Sequence, residues 1–238
     1  MPACCAAKDS KRRPLKIAEL FYSIQGEGSL VGVPSVFVRT SGCNLRCSWC
    51  DTPYTSWQPE GVEMDLKQII DEVAAHPARH VVVTGGEPMI APEIIPLTER
   101  LRQRGLHITI ETAGTVFHPV ACDLMSISPK LANSTPSDPR FSRQHERLRI
   151  QRDVLLQLVT RYPHQLKFVI ERPGDMEEVR DLVNELGVDA QNVVLMPEGI
   201  DSERLRERGQ WLAEICKETG YRFSPRLHVD LWGARRGV

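Results

Sequence analysis

No stretch of this 238-residue sequence approaches the roughly 18 to 20 apolar residues that a membrane-spanning helix needs, so no helical membrane protein is expected. Net charge is missing too. Thirty Lys and Arg stand against 31 Asp and Glu, a balance of −1, which implies no global pull toward nucleic acid or anionic membrane. A disulfide framework is absent: the seven cysteines are an odd number, only Cys43, Cys47 and Cys50 are clustered, and Cys4, Cys5, Cys122 and Cys216 are scattered. That usage fits a reducing compartment. Lys8, Lys11, Arg12 and Arg13 are followed by no apolar segment, so residues 1–14 read as a flexible tail and not as a signal peptide. There is no internal repeat and no low-complexity tract. Together these absences lead us to expect one soluble, cytoplasmic domain over residues 15–238.

What is present is an alternation of strand and helix signals. Leu15–Ile24 reads as a strand ending in the turn Gln25-Gly26-Glu27-Gly28, and residues 35–40 as a second strand. Residues 64–75 carry Leu66, Ile69, Ile70 and Val73 at helical spacing behind Asp65, a plausible N-cap. Further strands are expected at 80–84, 107–110, 123–127, 165–170, 192–195 and around 227–231, with helices near 92–104, 144–159, 176–186 and 201–219. Residues 131–143, rich in Ser, Pro and Asn, read as a loop or lid. This grammar predicts an α/β fold, a barrel or partial barrel of parallel strands with right-handed crossovers. In such a fold the segments after successive strands share one face. The cysteine loop, Gly85-Gly86-Glu87-Pro88, the turn after Ile110, Ser128-Pro129-Lys130 and Met196-Pro197-Glu198 would then surround one cavity.

The chemistry starts at Cys43, Cys47 and Cys50, a C-x3-C-x2-C spacing directly after the second strand. A structural zinc site would need a fourth ligand from a distant residue such as Cys122, His76 or His118. A 4Fe-4S cluster normally takes four thiolates, so three would leave one iron open to a small ligand. This spacing, followed by Gly-Gly-Glu-Pro after the next strand, resembles the radical S-adenosylmethionine (SAM) enzymes over nearly all of the chain beyond Leu15. The resemblance implies that Cys43, Cys47 and Cys50 hold a 4Fe-4S cluster whose fourth iron is chelated by SAM. Reductive cleavage of SAM then yields a radical that abstracts a substrate hydrogen. Gly85, Gly86 and Glu87 would approach the methionyl amino group, glycines letting the backbone come close.

Within that superfamily the stretches 21–28, 42–52 and Leu227-His228 are similar to the 7-carboxy-7-deazaguanine synthases, lyases of queuosine and 7-deazapurine biosynthesis. These contract the ring of 6-carboxy-5,6,7,8-tetrahydropterin with loss of ammonia. The similarity implies that Ile24, Gln25, Gly26 and Glu27 bind the pterin edge, that Arg39 pairs with its carboxylate, and that Thr84 and His228 face the substrate. A guanidinium suits a carboxylate because it can bind it bidentately; a surface ion pair is the other reading of Arg39. Thr52 would hold Mg2+, although the residues alone point first to Asp51. Around the cofactor the similarity implies Trp49, Cys50, Asp51, Glu111, Thr112, Ser128, Pro129, Lys130, Met196, Pro197 and Glu198. His228 reads equally as a histidine satisfied within the barrel. The chain ends in a basic segment, Trp232 to Val238, longer than in some relatives that place a terminal carboxylate in the site.

Two other readings share parts of this pattern: a glycyl-radical activase, which needs an open peptide groove, and a zinc-stabilised binding module. The resemblance further implies a homodimer and a flavodoxin-like or ferredoxin-like electron donor. Arg140, Arg143, Arg147, Arg149 and Arg152 form a basic run that either meets an acidic carrier or is a solvated helix face.

Overall fold

Alternation within the strands decides which way the sheet faces. The computed structural model describes residues 13–238, so the amino-terminal tail expected over 1–14 lies almost wholly outside the described residues. The strands are β1 (Leu15–Ile24), β2 (Pro34–Thr40), β3 (Val62–Met64), β4 (His80–Gly85), β5 (His107–Thr112), β6 (Leu124–Ile127), β7 (His164–Ile170), β8 (Val193–Pro197) and β9 (Arg222–Phe223). The helices are α1 (Pro53–Ser56), α2 (Leu66–Ala74), α3 (Ile94–Gln103), α4 (Pro139–Leu148), α5 (Arg152–Arg161), α6 (Met176–Leu186), α7 (Ser202–Thr219) and α8 (Leu227–Trp232). One sheet orders them β3-β1-β2-β4-β5-β6-β7-β8-β9.

From β2 onward every pair is parallel. The expectation of parallel strands fails only at the start, where β1 runs antiparallel to both β2 and β3. The nine-residue connection from β1 to β2 is too short for a crossover helix, so the chain turns straight back. One face of the sheet carries Val38, Val83, Ile110, Met125, Leu166 and Phe168, packed with Ile69, Leu97, Leu158 and Val179 of the helices in one apolar core. Each such side chain is worth about 1.5–3 kcal/mol when fully buried. The opposite face carries a row of polar side chains beside Phe37 and Val82. The loop following β1 donates from the backbone of Ser29 to Gln165 of β7, and from Gly28 to Ser224 beyond β9. A loop at one edge of the sheet reaches the other edge only because the sheet curls into a partial barrel.

Asp65 caps α2 in a reciprocal capping box with Gln68, as its sequence indicates. Three other expectations are corrected. Residues 144–159 are two helices, α4 and α5, separated where Gln151 Nε2 bonds to the carbonyls of Arg147 and Ile150. The loop expected over 131–143 ends earlier, since Asp138 caps α4 at Arg140 and Pro139 occupies its first turn. Residues 227–231 form helix α8 and not a strand: the sheet ends at the two-residue β9, and Pro225 removes the donor needed to continue it. The alternation Leu227, Val229, Leu231 is not a buried stripe, for Val229 is buried while Leu231 is exposed.

Candidate active site

Parallel register lines up polar side chains from five strands on the concave face. Arg39 of β2 lies beside Thr84 of β4, Glu111 of β5 beside Ser126 of β6, and Ser126 beside Gln165 of β7. Hydrogen bonds join the row: Thr84 Oγ1 donates to Glu111 Oε2 at 2.8 Å and Gln165 Nε2 to Ser126 Oγ at 2.8 Å. Gln25, buried, reaches in from the loop after β1 and donates to Glu111 Oε1 at 3.1 Å. Thus Gln25 and Thr84, both expected at a substrate, meet on one carboxylate.

The same loop brings Glu27 against two buried cations, Lys167 of β7 and Arg226, whose Nε lies 3.1 Å from Glu27 Oε1. Arg226 also bonds to Asp51 of the cysteine loop and to the carbonyl of Gly199. Burial alone would raise the Glu27 carboxyl, but Lys167, Arg226 and His228 outweigh it and hold the group well below the usual carboxylate range. Asp51 follows the same logic, burial opposed and outweighed by Arg226. Burial lowers Lys167 and Arg226, yet Glu27, Glu111 and Asp51 keep both charged. Burial also pulls the His228 imidazole below its ordinary value, against the attraction of Glu27, so the ring is neutral near pH 7. His228 sits on Gly26, where a Cβ would fall 2.1 Å from its Nδ1, so the ring occupies space that only glycine leaves open.

The cysteine loop leaves the C-terminal end of β2. Cys43, Cys47 and Cys50 gather with Leu45 and Ala113 in a small apolar cluster apart from the main core. Burial pushes the Cys43 thiol up to about 11 and that of Cys47 to about 12, with Lys130 pulling both the other way. Among the described residues no three His, Cys, Asp or Glu side chains converge tightly enough to hold one metal ion. Three thiols in one loop, with no fourth in that loop, suit a 4Fe-4S cluster with one open iron better than a closed four-ligand zinc site. Trp57 Nε1 donates to the carbonyl of Cys47 at 3.0 Å, and Thr52 Oγ1 lies 3.9 Å from Cys50 Sγ.

Glu87 behaves unlike a free ligand. Its buried carboxylate accepts from Met89 N, Thr112 Oγ1 and Ala113 N at 3.0, 2.8 and 2.8 Å, tying the loop after β4 to the end of β5. Burial nevertheless raises its carboxyl. Gly86 packs on the cysteine loop: its N–H donates to Thr40 O, and a Cβ would lie 2.1 Å from Gly42 O. Lys130 folds onto Ser128, donating to its carbonyl and hydroxyl at 2.7 and 2.9 Å, and lies over the Trp49 ring at 5.9 Å. Trp49 Nε1 in turn donates to Asn133. Met196 and Pro197 are buried at the end of β8, whereas Glu198 is drawn away into an ion pair with Arg208. Ile24 contributes its backbone to the β1–β2 pairing opposite Pro34. A cleft of about 360 Å3 is lined by Arg226 together with Phe223 of β9 and Ser202, Leu205, Arg206 and Gly209 of α7.

Lys167, Arg226 and Gln165 are concave-face residues that sequence reading missed. Lys167 and Gln165 had a signal, since they alternate with Leu166, Phe168 and Ile170 in a strand otherwise buried on both faces. Arg226 had none, because its partners lie 175 and 199 residues away.

A curled parallel sheet, three thiols in the loop after its first parallel strand and a polar concave face define a radical SAM protein. Residues 37–130 match the family model of the radical SAM superfamily. The chain is 47% identical over 232 residues to 7-carboxy-7-deazaguanine synthase from Halobacterium salinarum, covering 92% of this chain and 90% of the relative. It is 44% identical over 228 residues to the enzyme of that name from Rhodopirellula baltica, covering 94% and 89%. The crystal structure of QueE from Escherichia coli superposes with a TM-score of 0.68 at 28% identity, covering 90% of this chain and 95% of that one. The chain belongs to the 7-carboxy-7-deazaguanine synthase family.

Proposed function

We propose that this chain is a radical SAM lyase that converts 6-carboxy-5,6,7,8-tetrahydropterin to 7-carboxy-7-deazaguanine with loss of ammonia, in 7-deazapurine biosynthesis. The observation that supports this best is the row Arg39, Thr84, Glu111, Ser126 and Gln165 on the concave face, with the three-thiol loop beginning just beyond Arg39 at the end of β2. Cys43, Cys47 and Cys50 hold the 4Fe-4S cluster and leave one iron for SAM. When bound, cluster and SAM supply the hydrogen-abstracting radical.

The protein's own groups then orient the substrate. Arg39 takes the carboxylate through its fork of N–H groups. Gln25, Gly26 and Glu27 read the donor and acceptor edge of the pterin, with Thr84 and neutral His228 against its other side. Thr52 would be the protein ligand of Mg2+, an ion that keeps several waters and takes few protein ligands. Trp49, Asp51, Thr112, Ser128, Pro129, Lys130, Met196 and Pro197 line the cofactor, and Glu87 acts by shaping the loop. Residues 25–33, at the end of the sheet where β2 begins, reach inward to Glu111, Gln165 and Lys167, which favours a closed pocket for a small heterocycle over the open peptide groove of an activase. An acidic flavodoxin-like or ferredoxin-like protein delivers the electron, and the protein works as a homodimer.

Anaerobic protein supplied with reductant, SAM and Mg2+ is expected to form 7-carboxy-7-deazaguanine from the carboxytetrahydropterin, detected by mass and ultraviolet spectrum. Full cluster loading with no product would overturn the reading. Omitting Mg2+ with excess chelator is expected to lower turnover of the unaltered chain, and to have a smaller further effect in Thr52→Ala, whose metal site is already weakened.

A further inference from the structure

A β-bulge aims one carboxylate at Arg39. The register of β1 on β2 shifts between Ile17 and Glu19: Ile17 opposes Thr40, and after the extra residue Glu19 opposes Arg39. Without that insertion Ala18 would stand opposite Arg39, so the bulge is what brings a charged partner onto the concave face while Leu15 and Ile17 stay in the core. The bulge is covered. Gly61 packs so closely on it that a Cβ would lie 2.4 Å from Ile17 O, and Lys16 Nζ donates to Pro59 O at 2.8 Å.

Glu19 takes Arg39 by one edge. Arg39 Nε donates to Glu19 Oε2 at 2.8 Å, and the guanidinium lies over Phe21, 5.7 Å from the ring centre. Phe21 is stacked on Phe37 at 5.0 Å. Among the described residues the two terminal nitrogens of Arg39 make no hydrogen bond, although the side chain is only 18% exposed. A guanidinium fixed through Nε, backed by an aromatic ring and open at its terminal edge is arranged for a bidentate anion. Tyr54 locks the arrangement from behind, its hydroxyl donating to the same Glu19 oxygen at 2.7 Å. Arg236, from the carboxy-terminal segment, lies flat on the Tyr54 ring at 3.4 Å and pairs with Glu60 at 3.0 Å. The residues from Tyr54 to Gly61 are thus pinned between the bulge and the end of the chain.

We infer that Glu19 and Tyr54 are positioning residues that fix the Arg39 guanidinium for a substrate carboxylate, and that Arg236 holds Tyr54 in place. This rests on the assignment of Arg39 to the substrate carboxylate. It gives the basic carboxy-terminal segment a task that needs no terminal carboxylate in the site.

The test compares two unreactive fluorescent ligands, 6-carboxypterin and pterin, on cluster-loaded protein with SAM under anaerobic conditions. Glu19→Ala is expected to weaken 6-carboxypterin about tenfold, the size of one charge-assisted contact, while pterin binding stays within about twofold. Glu19→Gln should restore most of the loss, because its amide oxygen still accepts from Nε. Tyr54→Phe and Arg236→Ala should each weaken 6-carboxypterin alone, by about two- to fivefold. Unchanged pterin binding reports that the variants are folded. If Arg39→Ala abolishes the preference for 6-carboxypterin while Glu19→Ala keeps it or strengthens it, the positioning inference is wrong. If Arg39→Ala leaves the preference intact, the carboxylate assignment has failed and the inference falls with it. A normal preference in Arg236→Ala beside a lost one in Tyr54→Phe would remove the carboxy-terminal segment from the arrangement.

Discussion

A histidine that accepts through one ring nitrogen and donates through the other has no place for a second proton. His145 of α4 is held in that way. Its Nδ1 accepts from the backbone N–H of Arg46, between two of the cysteines, at 3.2 Å. Its Nε2 lies 2.9 Å from Ser134 Oγ, whose own proton goes to the carbonyl of Leu131. Burial lowers the imidazole from 6.5 to about 4, so the folded protein keeps the ring neutral where the unfolded chain would protonate it. The unfolded state therefore binds more protons between those values, and stability contributed by neutral His145 is lost as pH falls from 6.5 through about 4. His145→Gln preserves both hydrogen bonds without a titrating group. Urea unfolding at pH 7 and pH 5 is expected to show the larger acid loss in the unaltered protein; equal losses would mean that His145 titrates normally.

At the scale of elements, the loop after β4 and the cysteine loop after β2 form one unit, joined by Gly86 N–H to Thr40 O and Glu87 N–H to Gly42 O. A Cβ on Gly86 would meet Gly42 O at 2.1 Å and Cys43 Cβ at 2.8 Å, so Gly86→Ala must displace the backbone that carries Cys43. We expect it to cost about 1–3 kcal/mol and to lower bound iron after reconstitution. Gly174→Ala, at a position with nothing within 4 Å, should change neither; iron binding equal to wild type in Gly86→Ala would refute the coupling. Sequence made such elements legible in proportion to how local their causes are. The capping box of α2 lies within four residues, and Asp201 caps α7 through Arg204 N, so both helix starts could be read directly. The three-thiol loop was equally plain, its spacing being contained in eight residues. By contrast, α8 follows from where the sheet runs out, and the break between α4 and α5 is fixed partly by Arg149 bonding to the carbonyl of Lys130 and to Glu178. The charged concave face was half legible. Lys167 could have been found by its alternation, but Arg226 bridges Glu27 to Asp51 across the curled sheet, a proximity that no local pattern encodes.

For the whole molecule, curling the sheet encloses the polar row, and α4 covers the cysteine loop. Phe141 packs edge-on against Trp57 at 5.2 Å, and Leu148 joins the apolar cluster of the thiols. Between α4 and the loop a crevice of about 100 Å3 reaches Cys43, lined also by Asn44, Arg46, Phe141, Gln144 and His145. An electron donor approaching there would meet the exposed side of α4. Most of the basic run read from the sequence is already neutralised: Arg140 pairs with Asp138, Arg149 with Glu146 and Glu178, and Arg152 with Glu185. Arg143 and Arg147 are exposed and make no ion pair among the described residues, so they are the two charges available to steer an acidic partner. Steering of this kind changes association rates and is screened by salt, while leaving chemistry at the cluster alone. Reversing both, Arg143→Glu with Arg147→Glu, should slow cluster reduction by reduced flavodoxin about tenfold or more at low ionic strength. Reduction by dithionite should be unchanged, and the difference should shrink as salt is raised. Equal rates with flavodoxin at low salt would show that the donor docks elsewhere, and a matching loss with dithionite would show that the substitutions had damaged the cluster loop instead.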